Sequence, residues 1–243
     1  MRIGIGLGVG GSSGGAGGAS APFAYSEALS YNRASNGSSY DGTVTPTKDA
    51  DFAVVVVTGR ANGASVAYTG ACTMDGASIT RIGGNEGTAT ADFNAFDIVF
   101  ATRRSFVAGV PVGLACGLGN SARPGGVIVF FFQNSAPATA VSILAQARAT
   151  SSSATIASGS STPTTTSSVL VMIGSTFQGS GTPTLSSFTP SGYTDLGISQ
   201  VGNTLGGRDT QVGAPPNTNA LSPSWTFGAT STSRSAIAIQ VAA

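Results

Sequence analysis

Aspartate and glutamate residues are the first candidates for chemistry in this chain, because their side chains carry carboxyl groups. A pair of them can act as acid and as nucleophile or base in glycoside hydrolysis when they flank the scissile bond. Glu86, Asp92 and Asp97 fall in one region. Asp97 lies in a predicted strand and the other two in a glycine-rich loop, so the spacing marks no two of them as a pair. A small polysaccharide depolymerase therefore ranks third among three functional hypotheses, and we predict that the protein is not an enzyme.

Nucleophilic and cofactor chemistry is restricted because the chain contains no histidine. Gly11-x-Ser13-x-Gly15 has the spacing of a nucleophile elbow, but no imidazole is present to accept the serine proton. Gly6-x-Gly8-x-x-Gly11 matches the dinucleotide-binding fingerprint. That fingerprint needs a strand before it and a helix after it, whereas Gly6 stands almost at the start of the sequence and more glycine follows. We predict no catalytic residue and no cofactor.

Metal ligands are equally sparse. Asp49 and Asp51, with Asp41 nearby, could supply carboxylate oxygens to calcium. The two cysteines, Cys72 and Cys116, cannot complete a four-ligand zinc site alone. An ordinary polar loop before a strand is the preferred interpretation of the aspartates, and we predict no metal site.

Cys72 and Cys116 both have apolar neighbours, in YTGACTM and GLACGLG. Two cysteines allow one disulfide. A buried free thiol, however, behaves as a small hydrophobic side chain in such surroundings. Free thiols are therefore the preferred prediction.

Three aromatic residues near turns are candidate contacts for a glycan: Trp225, Tyr193 in SGYTDLG, and Tyr40 in SSYDG. An exposed aromatic ring beside Asp, Asn or Thr could stack on a sugar. Large aromatic side chains usually lie in a hydrophobic core instead. Burial of Trp225 and Tyr193 in the core is the alternative that we prefer.

The composition excludes two classes of partner. Charged residues make up 9 % of the chain and the net charge is +1, so there is no basic surface for nucleic acid. No apolar run approaches the roughly 18 residues of a membrane helix, and we predict no membrane span. Ser, Thr, Asn and Gly supply most of the polarity, and these residues favour turns and strands over helices.

From about Ser38 onward, runs of β-branched and aromatic residues alternate with turn signals such as Asn62-Gly63 and Asp75-Gly76. This pattern predicts ten or more strands, hardly any helix, and an all-β, antiparallel β-sandwich of jelly-roll-like type. Segments 125–134 and 169–177 are apolar on both faces and predict central strands. No fixed internal repeat is visible. The predicted core residues are Val54, Val56, Ile98, Phe100, Val129, Phe131, Val171, Ile173, Ile237 and Ile239.

The first 21 residues form an extended Gly-rich arm of glycine, serine and alanine in which Ile3, Ile5, Leu7 and Val9 alternate with glycine. In an extended strand these four side chains share one face, and the bare glycine face admits another backbone. Ordering so much glycine is costly, so we expect the arm to anchor the protein by adding a strand to another chain. Residues 22–35 are expected to form a helical turn or an irregular link. The predicted division is therefore an arm and link at 1–35 and a single β-sandwich domain at 36–243.

Four stretches resemble a β-rich structural module of tailed-bacteriophage virions: DFAVVVVTGRANG, CTMDGASITRIGG, SGYTDLG and WTFGATSTSRSAIAIQVAA. They are similar to the module's first core strand and hairpin, its second hairpin, a late turn and its closing hairpin. The resemblance covers about four-fifths of the chain. It implies a tail-fibre, tail-tip or head-decoration protein and carries over no catalytic residues.

The hypothesis from the sequence is a non-enzymatic virion protein that other virion proteins hold through residues 1–21. Low charge leaves little repulsion between copies, so we expect a homo-oligomer, with a trimer favoured. Binding of a receptor or a host-surface glycan by the sandwich is a secondary hypothesis. The alternative is a secreted, extracellular carbohydrate-binding or adhesin module of a bacterium. Arg2, an apolar stretch and Ala19-Ser20-Ala21 have the outline of a signal peptide, but half of that stretch is glycine, and we expect the arm to be retained.

Overall fold

The computed structural model describes residues 22–33, 37–61, 70–85, 95–149, 152–177, 184–200, 206–231 and 233–243. The regular structure in these ranges is antiparallel β, which confirms the predicted fold class, and no helix there is long and apolar enough to cross a membrane. The strands are β1 Ala24–Arg33, β2 Gly37–Val44, β3 Ala50–Ala61, β4 Cys72–Met74, β5 Ala77–Ser78, β6 Thr80–Asn85, β7 Ala95–Phe106, β8 Val112–Gln133, β9 Ala140–Ala149, β10 Ser153–Ala157, β11 Val169–Phe177, β12 Leu185–Thr189, β13 Thr194–Gln200, β14 Gly206–Gly213, β15 Ser224–Ser231 and β16 Ser233–Ala242.

The long strand β8 organises the first sheet. Along one edge it pairs first with β1, from Ala24 opposite Gln133, and then with β2, which ends with Val44 opposite Val112. Along the other edge it pairs with β3 and then with β4. Strands β7 and β6 extend the sheet beyond β3, and β5 extends it beyond β4.

This sheet folds over so that the two parts of β8 lie in facing layers. Tyr40 is paired with Cys116 in the first part of β8, yet its hydroxyl lies against Gly59 and Gly125 across the layer, where a Cβ atom would come within 2.3 and 2.2 Å of it. The first layer is β5-β4-β8-β2, built on residues 112–118 of β8. The second is β6-β7-β3-β8-β1, built on residues 125–133.

Strand β1 differs from the helical turn or irregular link expected for residues 22–35. It pairs with β8 over nearly its whole length. Leu29 and Tyr31 pack against one core, and Tyr25 and Ala28 against another. Backbone pairing and contacts on both faces override the modest helix preference of its Ala, Glu and Leu residues.

Two further sheets complete a stack of four layers. The third layer is β13-β14-β11-β16-β9, and the fourth is β10-β15-β12. Separate hydrophobic cores fill the spaces between successive layers. Strands β3, β8, β11 and β16 therefore bury both faces, which accounts for their unbroken apolar runs. All ten predicted core residues are buried, and that prediction is confirmed.

The two halves of the chain share one topology, although no repeat is visible in the sequence. The second layer has the order β6-β7-β3-β8-β1 and the third has β13-β14-β11-β16-β9, with strands taken in the same chain order. The first and fourth layers also share one strand order, because β4-β8-β2 in the first layer corresponds to β12-β15-β10 in the fourth. Strand β6 lies against β9, and β13 lies near β1. We conclude that residues 24–133 and 140–242 are duplicated units, related by a pseudo-two-fold axis.

A buried disulfide joins Cys72 of β4 to Cys116 of β8, so the prediction of free thiols was wrong. The two residues face each other directly in the ladder, with their Cα atoms 4.1 Å apart. Apolar neighbours are compatible with either state of a cysteine. The strand register decides between them by placing the two thiols side by side.

Candidate functional site

Asp97 is a buried carboxylate between the second and third layers. It accepts a 2.9 Å hydrogen bond from the Thr58 hydroxyl. Burial raises its pKa to about 6, although hydrogen bonds from Ser235 and Thr58 and the charge of Arg208 oppose this rise. Arg208 is also fully buried, and burial lowers its pKa to about 9 against the opposing effect of Asp97. The pair joins the two halves of the chain inside their interface.

The carboxyl pair considered for glycoside hydrolysis does not come together in the part of the chain that the structure describes. Glu86 and Asp92 lie outside the described residues. Asp97 has no exposed surface, so it cannot reach a glycosidic bond in solution. The structure gives this residue a place in the interface between the halves.

A second buried carboxylate, Asp209, lies beside the only tryptophan of the chain. Its Oδ2 atom accepts hydrogen bonds of 3.0 Å from Trp225 Nε1 and 3.0 Å from Gln211 Nε2. Burial raises the pKa of Asp209 to about 6, and the charge and hydrogen bonding of Asp195 add to this, while the bonds from Gln211 and Trp225 oppose it. This cluster ties β14 to β15 across two layers.

Trp225 and Tyr40 have no exposed surface, so neither is a glycan contact, and for Trp225 the preferred prediction of burial in the core is confirmed. Glycine creates the space for both rings. A Cβ at Gly174 would lie 2.4 Å from the Trp225 ring, and Tyr40 occupies the corresponding gap over Gly59. Tyr193 is half-buried, and a sugar contact at its ring stays a prediction.

The aspartates considered for calcium hold loops and turns together. Asp49 Oδ1 accepts a 2.8 Å hydrogen bond from the Ala108 amide, and Asp51 accepts hydrogen bonds from the Ser135 amide. Asp41 accepts one from the Ser39 hydroxyl. Within the described ranges, no three His, Cys, Asp or Glu side chains are grouped to hold a metal ion.

The anchoring residues Ile3, Ile5, Leu7 and Val9 lie outside the described residues, as do the glycine motifs around Ser13. The structure does describe the root of the arm. The Phe23 ring stacks on Phe132 at 5.4 Å with the planes 8° apart, and Asn134 Nδ2 donates a 3.0 Å hydrogen bond to the Pro22 carbonyl. The arm therefore enters the folded body at a fixed point beside the end of β8.

An open groove of about 500 Å³ lies where β6 of the second layer meets β9 of the third. We call it the seam groove. No carboxylate lines it. The apolar residues that line it are Phe52, Ile82, Ala101, Ala140 and Val141, and the polar residues are Ser78, Thr80, Thr102, Arg103 and Thr139.

Arg103 is held rigidly at this groove. Its Nη1 atom donates to the hydroxyl and carbonyl oxygens of Ser135, at 2.6 and 3.2 Å, and its Nη2 atom donates to the Ala136 carbonyl. The guanidinium carbon lies 5.6 Å from the centre of the Phe52 ring. The sequence analysis missed this residue. Alternation along β7 was the available signal, because Arg103 follows Asp97, Val99 and Ala101 on the face that packs against the third layer.

The described residues thus offer one open groove with mixed hydroxyl, apolar and cationic lining, and several carboxylates engaged in structural contacts. Thr139 adds an unused polar group to the groove, since its Oγ1 atom is buried without a hydrogen-bond partner. This arrangement can bind a small polar molecule. Comparison with known proteins finds no matching family, no matching curated protein and no matching solved structure.

Proposed function

We propose that this protein is a non-enzymatic structural component of a tailed-bacteriophage virion, of the tail-fibre, tail-tip or head-decoration type. Residues 1–21 anchor it to other virion proteins, and the four-layer body is displayed outward as a homo-oligomer, with a trimer favoured, to attach to the host surface. The observation that carries the proposal is the fixed root of the arm. Phe23 and Pro22 are held against the end of β8, so an anchor at the arm would position the body.

The composition of the arm supports anchoring. Ile3, Ile5, Leu7 and Val9 can fill pockets on one side of an extended strand, while the intervening glycines admit a neighbouring backbone. Adding such a strand to the sheet edge of another subunit supplies ladder hydrogen bonds and apolar burial together. Residues 11–20 would then act as a tether between the anchor and the body.

Deletion of residues 2–10 tests this function. The truncated chain should fold, with the fluorescence of buried Trp225 unchanged, and should be missing from purified particles. Ile5→Asp with Leu7→Asp should have the same effect, because two charges would have to be buried in the receiving sheet. Ser12→Asp with Ser13→Asp adds equal charge to the tether and should be incorporated normally. Normal incorporation of the truncated chain would contradict the proposal.

A secreted bacterial carbohydrate-binding or adhesin module is the second candidate, and the Cys72–Cys116 disulfide favours it. Disulfides persist mainly in oxidising compartments outside the cytosol. Intact mass measurement of the native protein distinguishes the two. Loss of the first 21 residues with the disulfide formed would support secretion, whereas a full-length chain in purified particles would support the virion.

A further inference from the structure

The duplication gives the seam groove a counterpart on the opposite side of the stack. Val141 of β9 pairs with Val241, which in turn pairs with Val169. In the first half, Tyr25 of β1 pairs with Phe132, which pairs with Phe52. Since Phe52 and Val169 occupy equivalent positions, Val141 corresponds to Tyr25. Two residues earlier, Thr139 corresponds to Phe23.

The counterpart seam is narrower but is not closed, since about 310 Å³ stays open beside Phe23, Val169 and Ala214. At the counterpart, the rings of Phe23 and Tyr25 pack on Phe132 with centroids 5.4 and 6.1 Å away. At the seam groove the corresponding residues are the smaller Thr139 and Val141, and about 500 Å³ stays empty. The rings of Phe23 and Tyr25 fill part of the counterpart seam, so the smaller side chains make the seam groove the wider of the two.

We propose that the seam groove binds a carboxylate-bearing pyranose, such as a uronic acid residue of a host-surface polysaccharide. This inference rests on the host-attachment role proposed above. The apolar side chains Ile82, Ala101 and Val141 suit the C–H face of a sugar ring, and the hydroxyl of Thr80, which pairs with Ala101, can bond to its hydroxyl groups. A volume of this size lies within the usual range of small-molecule sites.

Arg103 selects for an acidic sugar. A guanidinium has five N–H donors, and the three bonds to Ser135 and Ala136 fix its position while leaving donors over. No carboxylate lines the groove to neutralise it. A sugar carboxylate would form charge-assisted hydrogen bonds with this preorganised cation. The Thr139 hydroxyl, buried without a partner, would gain a partner from the same ligand.

NMR titration of the full-length protein with trigalacturonate tests the site, and neutral galactotriose is the matched probe. The acidic sugar should bind at least about tenfold more tightly than the neutral one, because hydrogen bonds to charged groups are the stronger kind. Arg103→Met should abolish that preference. Thr80→Val should weaken trigalacturonate binding about threefold to tenfold. Thr194→Val changes the residue equivalent to Thr80 in the second half and should have no effect.

Val141→Tyr introduces the aromatic residue that stands at the equivalent position of the counterpart seam, and it should block binding. Thr80→Val nearly preserves side-chain shape, so it keeps the test decisive if a bulkier variant does not fold. Equal affinity for both sugars in the wild type, or equal effects of Thr80→Val and Thr194→Val, would overturn the proposal. These measurements need no virion. Failure here would therefore refute the groove assignment alone, whereas failure of the arm-deletion experiment would refute the anchoring function.

Discussion

Asp97 should make the protein more stable in mild acid than at neutral pH. Its pKa in the folded state is raised from 3.8 to about 6, chiefly by burial, so the folded state binds this proton more tightly than the unfolded state does. This stabilisation is fully present when the pH is below 3.8, the pKa of the unfolded state, and it is lost as the pH rises through about 6, the pKa of the folded state. The difference in pKa corresponds to about 3 kcal/mol, of which about 2.5 kcal/mol is gained between pH 7 and pH 4.

Asp97→Asn isolates this effect, because the amide cannot titrate. Urea unfolding at 25 °C and at several pH values from 4 to 7, followed by Trp225 fluorescence, gives the free energy of unfolding. The variant should lack about 2.5 kcal/mol of the wild-type gain on acidification. At pH 7 the variant should be no less stable than the wild type, since the uncharged amide resembles the protonated carboxyl group that the folded state prefers.

Asp209→Asn provides the comparison, since the pKa of Asp209 is also raised to about 6. Each variant should remove its own part of the pH dependence, and the double variant should remove both. An Asp97→Asn protein whose unfolding free energy follows pH as the wild type does would refute the assignment of Asp97 as the buried acid.

Three further predictions concern stability at constant pH. Cys72→Ala with Cys116→Ala should lower the free energy of unfolding by about 4 kcal/mol, because the disulfide spans a sequence separation of 44 residues. In urea unfolding, the reduced wild type should have the same free energy of unfolding as this variant. A free energy equal to that of the oxidised wild type, in the variant or in the reduced protein, would contradict the prediction. Gly174→Ala should cost about 3 kcal/mol, seen as a lower Tm, because its Cβ would collide with the Trp225 ring; an unchanged Tm would disprove the tight packing. Trp225→Phe should lower the free energy of unfolding by about 1–3 kcal/mol, because it leaves a buried oxygen of Asp209 without one donor. Urea unfolding followed by circular dichroism measures this loss. A smaller loss would show that the hydrogen bond contributes little.

Strand composition predicted the fold class and the core well. The valine run 54–57 and the segment 127–132 have no polar face, and both faces of each are buried. In a two-sheet sandwich every sheet has only one inner face. Several strands without a polar face therefore require more than two layers, which is why the molecule is a four-layer stack and not a two-sheet sandwich.

The duplication and the seam groove could not be predicted from the sequence, because equivalent positions carry different chemistry. Asp97 in the first half corresponds in register to Arg208 in the second. Phe23 corresponds to Thr139, so the aromatic residues that narrow one seam are absent from the other. Only the strand order preserves the relationship, and strand order follows from long-range pairing that one sequence does not display.

Burial of Trp225 and Tyr40 likewise depends on partners distant in the chain. Each ring lies over glycine on another strand, Gly174 for Trp225 and Gly59 for Tyr40. Local sequence places both aromatic residues near turns, which suggested exposure. The missing side chains that make room for them stand about 20 to 50 positions away.

The path of β1 and β2 determines how the body would bear mechanical load. A pull on residue 22 along the strand axis acts on β1, whose hydrogen bonds to β8 run from Ala24 to Arg33, and beyond it on β2. These hydrogen bonds lie perpendicular to the strands, so a pull along the strand axis loads many of them together in shear. A pull perpendicular to the strand would instead break them one at a time. Forced unfolding is governed by the unfolding rate, and breaking the bonds together raises that barrier. If residues 1–21 anchor the protein as proposed, a pull on that anchor would load β1 in shear and would not unravel the body from this end.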